Sequence, residues 1–189
     1  MQSHKIVCIG DSITYGYEIP EGQKWITLLS EALSIEIINC GINGDTTAGM
    51  LSRFEQILIK HNPTQVIITG GTNDLWFGLK DELIISNIHA MARLARHNNI
   101  ESIIGITTPF FNLNELNFVQ ENFSECIRSF KSILVDYCNQ KELPFIDFSS
   151  NLNQSHFMDD GLHPNTEGQK IMTENAKHIL IQLLNLNGL

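Results

Sequence analysis

The sequence predicts one α/β domain over residues 1–189, with three α/β/α layers around a flavodoxin-like, mainly parallel sheet of five strands. Five short apolar runs rich in β-branched residues alternate with longer segments of helical period. The runs lack strict polar alternation, which is typical of strands that are covered on both faces. Alternation of strand and helix favours right-handed crossovers and therefore a parallel sheet. The length of 189 residues fits a single domain.

The strands and helices follow one another along the chain without a linker or an internal repeat. In chain order, the predicted strands are Lys5–Ile9, Ile35–Asn39, Gln65–Thr69, Ser102–Thr107 and Pro144–Asp147. The predicted helices between and after them are Lys24–Leu33, Thr46–Lys60, Asp81–His97, Val119–Lys141 and Thr166–Leu186. In the fourth helix the apolar side chains fall on one face, which indicates a helix packed against the sheet.

Composition and charge exclude several classes of protein. Hydrophobic residues make up 42% of the chain and charged residues 17%, which is typical of a globular protein. The formal net charge of −9 repels phosphate backbones and anionic lipid, so we expect no nucleic-acid partner. No apolar run reaches 18 residues and no basic leader precedes the first strand, which predicts a cytoplasmic protein without stable membrane insertion. The sequence carries no signal for a particular oligomeric state.

Polar and small residues gather where the predicted strands end. Ser12 follows the first strand within Gly10-Asp11-Ser12, Gly44 follows the second, and Asn73 follows the third. A further polar segment, residues 159–163, stands just before the final helix, where we expect Pro164 at the first helical position. Ligands bind at the carboxyl ends of the strands in open parallel sheets, so these residues are candidates for one site.

Ser12, His163 and Asp160 form a candidate catalytic set. A serine hydroxyl is a weak nucleophile until a base takes its proton, and imidazole titrates near neutrality. Asp160 precedes His163 by three residues, so a turn can place its carboxylate beside the ring, where it would hold the tautomer and stabilise the imidazolium. Asp159 is an alternative for this role.

Three amide groups are candidates for an oxyanion hole. The backbone N–H groups of Ser12 and Gly44 and the side-chain amide of Asn73 can stabilise a developing negative charge. Gly44 can also serve a turn that needs positive φ, and Asn73 can instead tie neighbouring loops together. The nearby acids, which would oppose an oxyanion, are predicted to be structural and to accept hydrogen bonds from loop N–H groups; they are Asp11, Asp45 and Asp74.

These residues resemble the four blocks of the GDSL, or SGNH, hydrolase family, in the family's order across residues 10–164. Gly10-Asp11-Ser12 resembles the nucleophile block, residues 39–46 the glycine block, residues 71–74 the asparagine block, and residues 160–163 the closing DxxH. The resemblance implies the SGNH hydrolase fold, catalysis by Ser12, Asp160 and His163, an oxyanion hole of Ser12, Gly44 and Asn73, and no cofactor. Ile13 replaces the leucine of the family name, an apolar exchange that puts little in doubt.

The expected substrate is a small acyl ester. Loops after the strands should determine specificity, and Trp76, Phe110, Phe111 and Phe157 can line an apolar slot or serve only packing. No long insertion is present to form a lid, which predicts an open site for short-chain carboxylic esters or thioesters.

Four alternatives remain beside a short-chain esterase. Two are other family activities, a carbohydrate O-deacetylase and a lysophospholipase. A third is a non-catalytic binding module of the same fold. The fourth is a zinc hydrolase that uses the two histidines and two acids of residues 156–163, although no metal site is predicted, because a zinc site would leave Ser12, Gly44 and Asn73 unexplained.

Overall fold

Five parallel strands form the sheet at the centre of the computed structural model, which describes residues 4–112 and 114–186. The spatial order of the strands is β2-β1-β3-β4-β5. Their bounds are β1 Lys5–Gly10, β2 Glu36–Gly41, β3 Gln65–Thr69, β4 Glu101–Ile106 and β5 Phe145–Asp147. This order confirms the flavodoxin-like prediction, and every neighbouring pair in it is parallel.

The five predicted helices are present, and two short helices join them. The bounds are α1 Ser12–Tyr15, α2 Trp25–Leu33, α3 Thr47–His61, α4 Thr72–Trp76, α5 Asp81–His97, α6 Phe123–Lys141 and α7 Thr166–Leu183. The short helices α1 and α4 directly follow β1 and β3, so they begin at the candidate site. Within the described residues, no helix combines the length and the apolar character needed to cross a bilayer.

The sheet is covered on both faces, as the continuous apolar runs predict. Val7 and Ile9 of β1 belong to a core that α3, α5 and α6 close, whereas Ile6 and Cys8 face the core closed by α2 and α7. All four side chains are fully buried. Each of the Val and Ile side chains contributes about 1.5–3 kcal/mol through burial, so both faces of β1 hold the helices in place.

Helices α6 and α7 differ from their predicted bounds at one end each, and each has an asparagine as its N-cap. The helix predicted from Val119 begins at Phe123, since the Asn122 side chain accepts a hydrogen bond from the Glu125 amide at 3.0 Å. The final helix begins at Thr166 and ends at Leu183 instead of Leu186. Its N-cap is Asn165, so the prediction that Pro164 occupies the first helical position is wrong.

Candidate active site

Ser12 lies at the carboxyl end of β1, as the first residue of α1, and is 9% exposed. Asp11 caps this short helix by accepting a hydrogen bond from the Ile13 amide at 2.9 Å. The turn leaves no room for a side chain at Gly10, where a Cβ would lie 2.7 Å from the carbonyl oxygen of Thr69. The glycine before the motif therefore permits the close packing that presents the Ser12 hydroxyl.

His163 joins the Ser12 hydroxyl to the Asp160 carboxylate, although Ser12 and His163 stand 151 residues apart. The ring Nδ1 lies 2.6 Å from Oδ2 of Asp160, and the ring Nε2 lies 3.0 Å from Oγ of Ser12. A carboxylate only accepts, so Nδ1 carries the hydrogen and donates it, while Nε2 is left to accept from the hydroxyl. The three side chains thus form a continuous chain of hydrogen bonds.

The carboxylate of Asp160 is held by the turn that it belongs to. Its Oδ1 accepts the backbone N–H groups of Leu162 at 2.8 Å and His163 at 3.0 Å. Partial burial raises the pKa of Asp160, but the hydrogen bonds from His163 and Leu162 outweigh it and hold the pKa below its ordinary value. Asp159 and Asp160 are both exposed, but these three hydrogen bonds all belong to Asp160. Geometry therefore favours Asp160 over Asp159 as the partner of the imidazole.

Tyr17 covers the His163 ring and is a residue that the sequence analysis missed. The two ring centroids are 4.5 Å apart, with 37° between the ring planes. A hydrogen bond with Glu18 and the charge of that carboxylate raise the pKa of the Tyr17 phenol. The short distance between the centroids shows that the ring of Tyr17 faces the imidazole. The position of Tyr17 on the loop just after Ser12 is the feature of the sequence that could have predicted its place at the site.

The loop after β2 and the start of α4 meet through a hydrogen bond. Gly44 is exposed and has a φ of 75°, and a Cβ there would meet no atom within 4 Å, so its conformation rather than crowding favours glycine. The Asn73 side chain donates an N–H to the carbonyl oxygen of Asp45 at 2.9 Å. An amide has two such hydrogens, so this contact leaves the second one for a ligand.

Two of the three acids near the site accept hydrogen bonds from backbone amides, as predicted, but these amides lie in the first turns of α1 and α3 and not in loops. Asp11 accepts from Ile13, and Asp74 accepts the backbone N–H of Thr47 at 2.9 Å and its hydroxyl at 2.6 Å. Burial, together with the charges of Asp74 and Asp45, raises the pKa of Asp11 to about 7. Burial also raises the pKa of Asp74. The carboxylate of Asp45 pairs with a side chain instead.

That side chain is Arg53 of α3, the second residue that the sequence analysis missed. The guanidinium donates to Oδ2 of Asp45 through Nε at 2.9 Å and Nη2 at 2.7 Å. It also donates to the carbonyl oxygens of Cys40 at 2.8 Å and Gly10 at 3.2 Å. Asp45, Gly49 and Arg53 stand four residues apart, and this helical interval was the available signal.

The four predicted aromatic residues divide into two buried and two half-buried rings. Phe110 and Phe157 are 8% and 6% exposed and serve mainly packing. Phe110 lies against Phe123 with centroids 5.0 Å apart, and Trp76 meets the same ring edge-on at 5.1 Å. Phe111 packs on Phe157 at 4.9 Å. Trp76 and Phe111 keep part of their surface open to a ligand.

The loop after β4 supports the turn that carries His163. The backbone N–H of Phe111 donates to the carbonyl oxygen of Gly161 at 2.9 Å. Gly161 has a φ of 68°, and a Cβ there would lie 3.1 Å from the Asn112 amide nitrogen. The Met158 amide closes the turn by donating to the carbonyl oxygen of His163 at 2.8 Å. The position of the imidazole therefore depends on both segments.

The two histidines of the zinc alternative have other hydrogen-bond partners. Nδ1 of His156 accepts the backbone N–H of Asn153 at 3.1 Å and completes the capping of a 3₁₀ turn over Gln154–His156. Both ring nitrogens of His163 contact Asp160 or Ser12. This arrangement favours serine chemistry over a metal centre that shares these ligands.

Comparison with known proteins identifies the family. The model of the GDSL-like lipase/acylhydrolase family matches residues 8–171. The chain belongs to this family. It is 29% identical over 187 residues to the arylesterase of Vibrio mimicus, covering 96% of this chain and 90% of that protein. It is 28% identical over 189 residues to the esterase TesA of Pseudomonas aeruginosa, covering 95% of this chain and 89% of that protein.

Solved structures show the same fold. A member of the lipolytic G-D-S-L family from Veillonella parvula superposes with a TM-score of 0.83 at 23% identity, covering 95% of this chain and all of that one. The SGNH hydrolase fold predicted from the sequence is therefore confirmed. Family and relatives together establish that the chain is an ester-hydrolysing enzyme.

Proposed function

We propose that this enzyme is a serine esterase that hydrolyses short-chain carboxylic esters or thioesters through Ser12, His163 and Asp160. The observation that carries the proposal is the pair of contacts of the imidazole, 3.0 Å to the Ser12 hydroxyl and 2.6 Å to the Asp160 carboxylate. A base aligned with a nucleophile and oriented by a third group is the arrangement that acyl transfer requires. A binding module would need only the crevice.

The first half of the reaction forms an acyl-enzyme. The Ser12 oxygen attacks the ester carbonyl carbon while Nε2 of His163 takes the hydroxyl proton. The tetrahedral intermediate collapses, the bond to the leaving oxygen or sulfur breaks, and the imidazolium gives its proton to the departing alcohol or thiol. Asp160 remains ionised and stabilises the imidazolium, in agreement with its lowered pKa.

The second half of the reaction releases the acid. A water molecule attacks the acyl carbon, and Nε2 of His163 takes one of its protons. When the second tetrahedral intermediate collapses, the bond to the Ser12 oxygen breaks and the imidazolium returns the proton to that oxygen. The products are one carboxylic acid and the regenerated hydroxyl, so the enzyme needs no cofactor in this scheme.

Three amides would stabilise the negative oxygen of both intermediates. Ser12 supplies the backbone N–H at the start of α1, where helical amides lack intrahelical partners. Gly44 supplies a backbone N–H from an exposed turn, and Asn73 supplies the hydrogen that is not bound to Asp45. Because these donors are in place before the reaction, they stabilise the transition state without reorganisation.

The preference for short acyl chains rests on the open site and on the few aromatic surfaces beside it. Phe110 and Phe157 are committed to packing, which leaves Trp76 and Phe111 as the half-buried rings of the predicted slot. The relatives named arylesterase and esterase agree with a small ester as substrate. The cytoplasmic location stays a prediction from the sequence.

Labelling with a fluorophosphonate tests the mechanism. This reagent phosphonylates an activated serine, and mass spectrometry of the digested protein locates the adduct. We expect one adduct on Ser12, its loss in Ser12→Ala and its retention in Ser132→Ala, a control that removes an exposed hydroxyl from α6. Absence of an adduct on Ser12, or undiminished ester hydrolysis by Ser12→Ala, would refute the proposed function.

A substrate panel tests the specificity. Initial rates are compared for 4-nitrophenyl esters from acetyl to dodecanoyl, for acyl thioesters and for acetylated sugars. We expect the highest kcat/KM for acetyl and butanoyl esters or thioesters. Preference for sugar acetates would select the O-deacetylase alternative, and preference for long chains or lysophospholipids would select the lysophospholipase alternative.

A further inference from the structure

We propose that Arg53, through its ion pair with Asp45, is a positioning residue that holds the oxyanion donors in place and neutralises the carboxylate beside them. The inference deepens the proposed function and rests on it. Arg53 lies on α3 and touches no part of the Ser12–His163–Asp160 chain, so it acts through Asp45 and the strand ends.

The Arg53 guanidinium connects three segments that meet at the site. It donates to Gly10 at the end of β1, which is two residues before Ser12, and to Cys40 near the end of β2. It also forms a two-pronged contact with the carboxylate of Asp45, in the loop that follows β2. The planar fork of arginine suits this set of acceptors, whereas the point charge of lysine would not span them.

Asp45 stands between two of the proposed oxyanion donors. Its peptide nitrogen follows Gly44, its carbonyl oxygen accepts from the Asn73 amide at 2.9 Å, and its carboxylate accepts from Arg53 at 2.7 Å. A Cβ at Gly49 would lie 2.0 Å from the Asp45 carboxylate, so the helix is shaped for this side chain. Any shift of Asp45 would move both donors together.

The charge of Arg53 matters because acids surround the oxyanion site. Asp11 and Asp74 are fully or almost fully buried, and the Asp45 side chain is only 11% exposed. A carboxylate left unpaired at this depth would raise the energy of a negative oxygen that develops nearby. Arg53, whose side chain is 20% exposed, cancels the charge of Asp45 in the ground state and in the transition state.

A purely structural ion pair would behave differently from a positioning residue. Loss of a structural pair lowers the stability of the fold but leaves kcat of the folded enzyme unchanged. Loss of a positioning residue weakens only the interactions made in the transition state, so kcat falls while KM changes little. If the unpaired charge of Asp45 is then removed as well, part of the lost kcat should return.

The experiment compares variants that separate charge, fork geometry and stability. Arg53→Met removes the charge and the donors but keeps most of the stem, and Arg53→Lys keeps the charge alone. Asp45→Asn removes the opposing charge, and Asp45→Asn/Arg53→Met restores neutrality. Arg128→Met is the matched control, because Arg128 forms an exposed pair with Glu125 on α6 at 3.2 Å. Thermal unfolding of each variant is measured beside kcat, KM and the rate of phosphonylation of Ser12.

The expected result is a loss of kcat that charge neutralisation partly reverses. For Arg53→Met we expect kcat and the phosphonylation rate to fall together by about 10- to 100-fold, with KM within about threefold. Arg53→Lys should lose about tenfold in kcat, and the double variant should exceed Arg53→Met by about tenfold. Arg128→Met should match the parent enzyme.

Two outcomes would overturn the inference. The first is a folded Arg53→Met or Arg53→Lys enzyme that keeps kcat within about threefold while its Tm falls. The second is a double variant no faster than Arg53→Met. If Arg53→Met does not fold, Arg53→Lys and Asp45→Asn decide. A fall in kcat with little change in KM supports the inference, and an unchanged kcat overturns it. Failure of the proposed function is a separate result, because Ser12 would then remain unlabelled in the parent enzyme.

Discussion

Tyr17 lies against the ring of His163, with 4.5 Å between the two ring centroids. The side chain of His163 is only 15% exposed, so the phenol helps to shield the proposed base from water. An aromatic face also stabilises a cation placed on it, and the imidazole becomes a cation in each half of the proposed reaction. Tyr17 therefore connects the loop after the nucleophile with the base.

Removal of the Tyr17 ring should slow the chemical step. For Tyr17→Ala we expect kcat/KM to fall about tenfold, because the imidazolium loses an aromatic contact of about 1–2 kcal/mol. Tyr17→Phe keeps the ring and should stay within about twofold. Steady-state kinetics on a 4-nitrophenyl ester measure both. Tyr15→Ala, which removes an exposed ring under Lys24, is the control. Equal losses in Tyr17→Phe and Tyr17→Ala would contradict a role for the ring.

Asp160 should be far more important for turnover than its neighbour. In Asp160→Asn the carboxylate that accepts the Nδ1 hydrogen is gone. The ring is then no longer held in the tautomer with a free Nε2, and the imidazolium has no counter-charge. We expect kcat to fall about 1,000- to 10,000-fold. The exposed Asp159 is the matched control, and Asp159→Asn should keep kcat within about twofold. A larger effect of Asp159→Asn than of Asp160→Asn in steady-state assays would reverse the assignment.

Asn73 should contribute mainly to the transition state. Asn73→Ala removes one oxyanion donor and the link to Asp45, so we expect kcat to fall about 100- to 1,000-fold with little change in KM. Asn175→Ala is a matched control. The Asn175 side chain, on α7, also donates a hydrogen bond to a loop carbonyl, that of Ser150, at 2.8 Å. In stopped-flow measurements, the acylation rate should fall for Asn73→Ala and stay at the parent value for Asn175→Ala. An unchanged acylation rate would remove Asn73 from the oxyanion hole.

Asp11 should make the stability of the fold depend on pH. Its pKa is about 7 in the folded protein, through burial and nearby acids, and about 3.9 in an unfolded chain. Between these values the unfolded state binds fewer protons, so the free energy of unfolding decreases as the pH rises from 4 to 7. Asp11→Asn removes this penalty. Its stability relative to the parent should increase by about 2 kcal/mol between pH 5 and pH 8.

Urea unfolding at several pH values checks the Asp11 prediction. The comparison uses the change with pH and not the absolute difference, because an amide at position 11 alters local hydrogen bonds equally at each pH. The control is Asp136→Asn, an exposed acid of α6, which should show no such trend. Parallel pH curves for the parent and Asp11→Asn would show that Asp11 stays ionised across this range.

The sequence predicts the strands and the residues at their ends because each carries a strong local signal. Apolar runs locate β1 to β5, Ser12 and Asn73 are chemically distinctive where two of those runs end, and His163 stands just before the final helix. The helices α1 and α4 escape prediction because four or five residues show no helical period. They are set by the packing of the strand ends.

Tyr17 and Arg53 show what a local pattern cannot predict. Tyr17 contacts His163, which is distant in sequence, and two of the acceptors of Arg53 are backbone carbonyls, which every residue possesses. Only the folded sheet brings the ends of β1 and β2 within reach of one guanidinium. The capping asparagine before α6 is a nearer case, since Asn122 was visible but the apolar Val119 suggested an earlier start.

The hydrogen bond from Phe111 to Gly161 has a consequence for attempts to redesign this enzyme. An engineer who lengthened the segment after β4 to admit a bulkier ester would also disturb the support of the imidazole. A longer segment after β4 would therefore lower kcat as well as change the substrate selectivity. Trp76 packs against Phe123 instead. Substitutions at Trp76 would leave the hydrogen bond between Phe111 and Gly161 in place, so they are better suited to changing the substrate range.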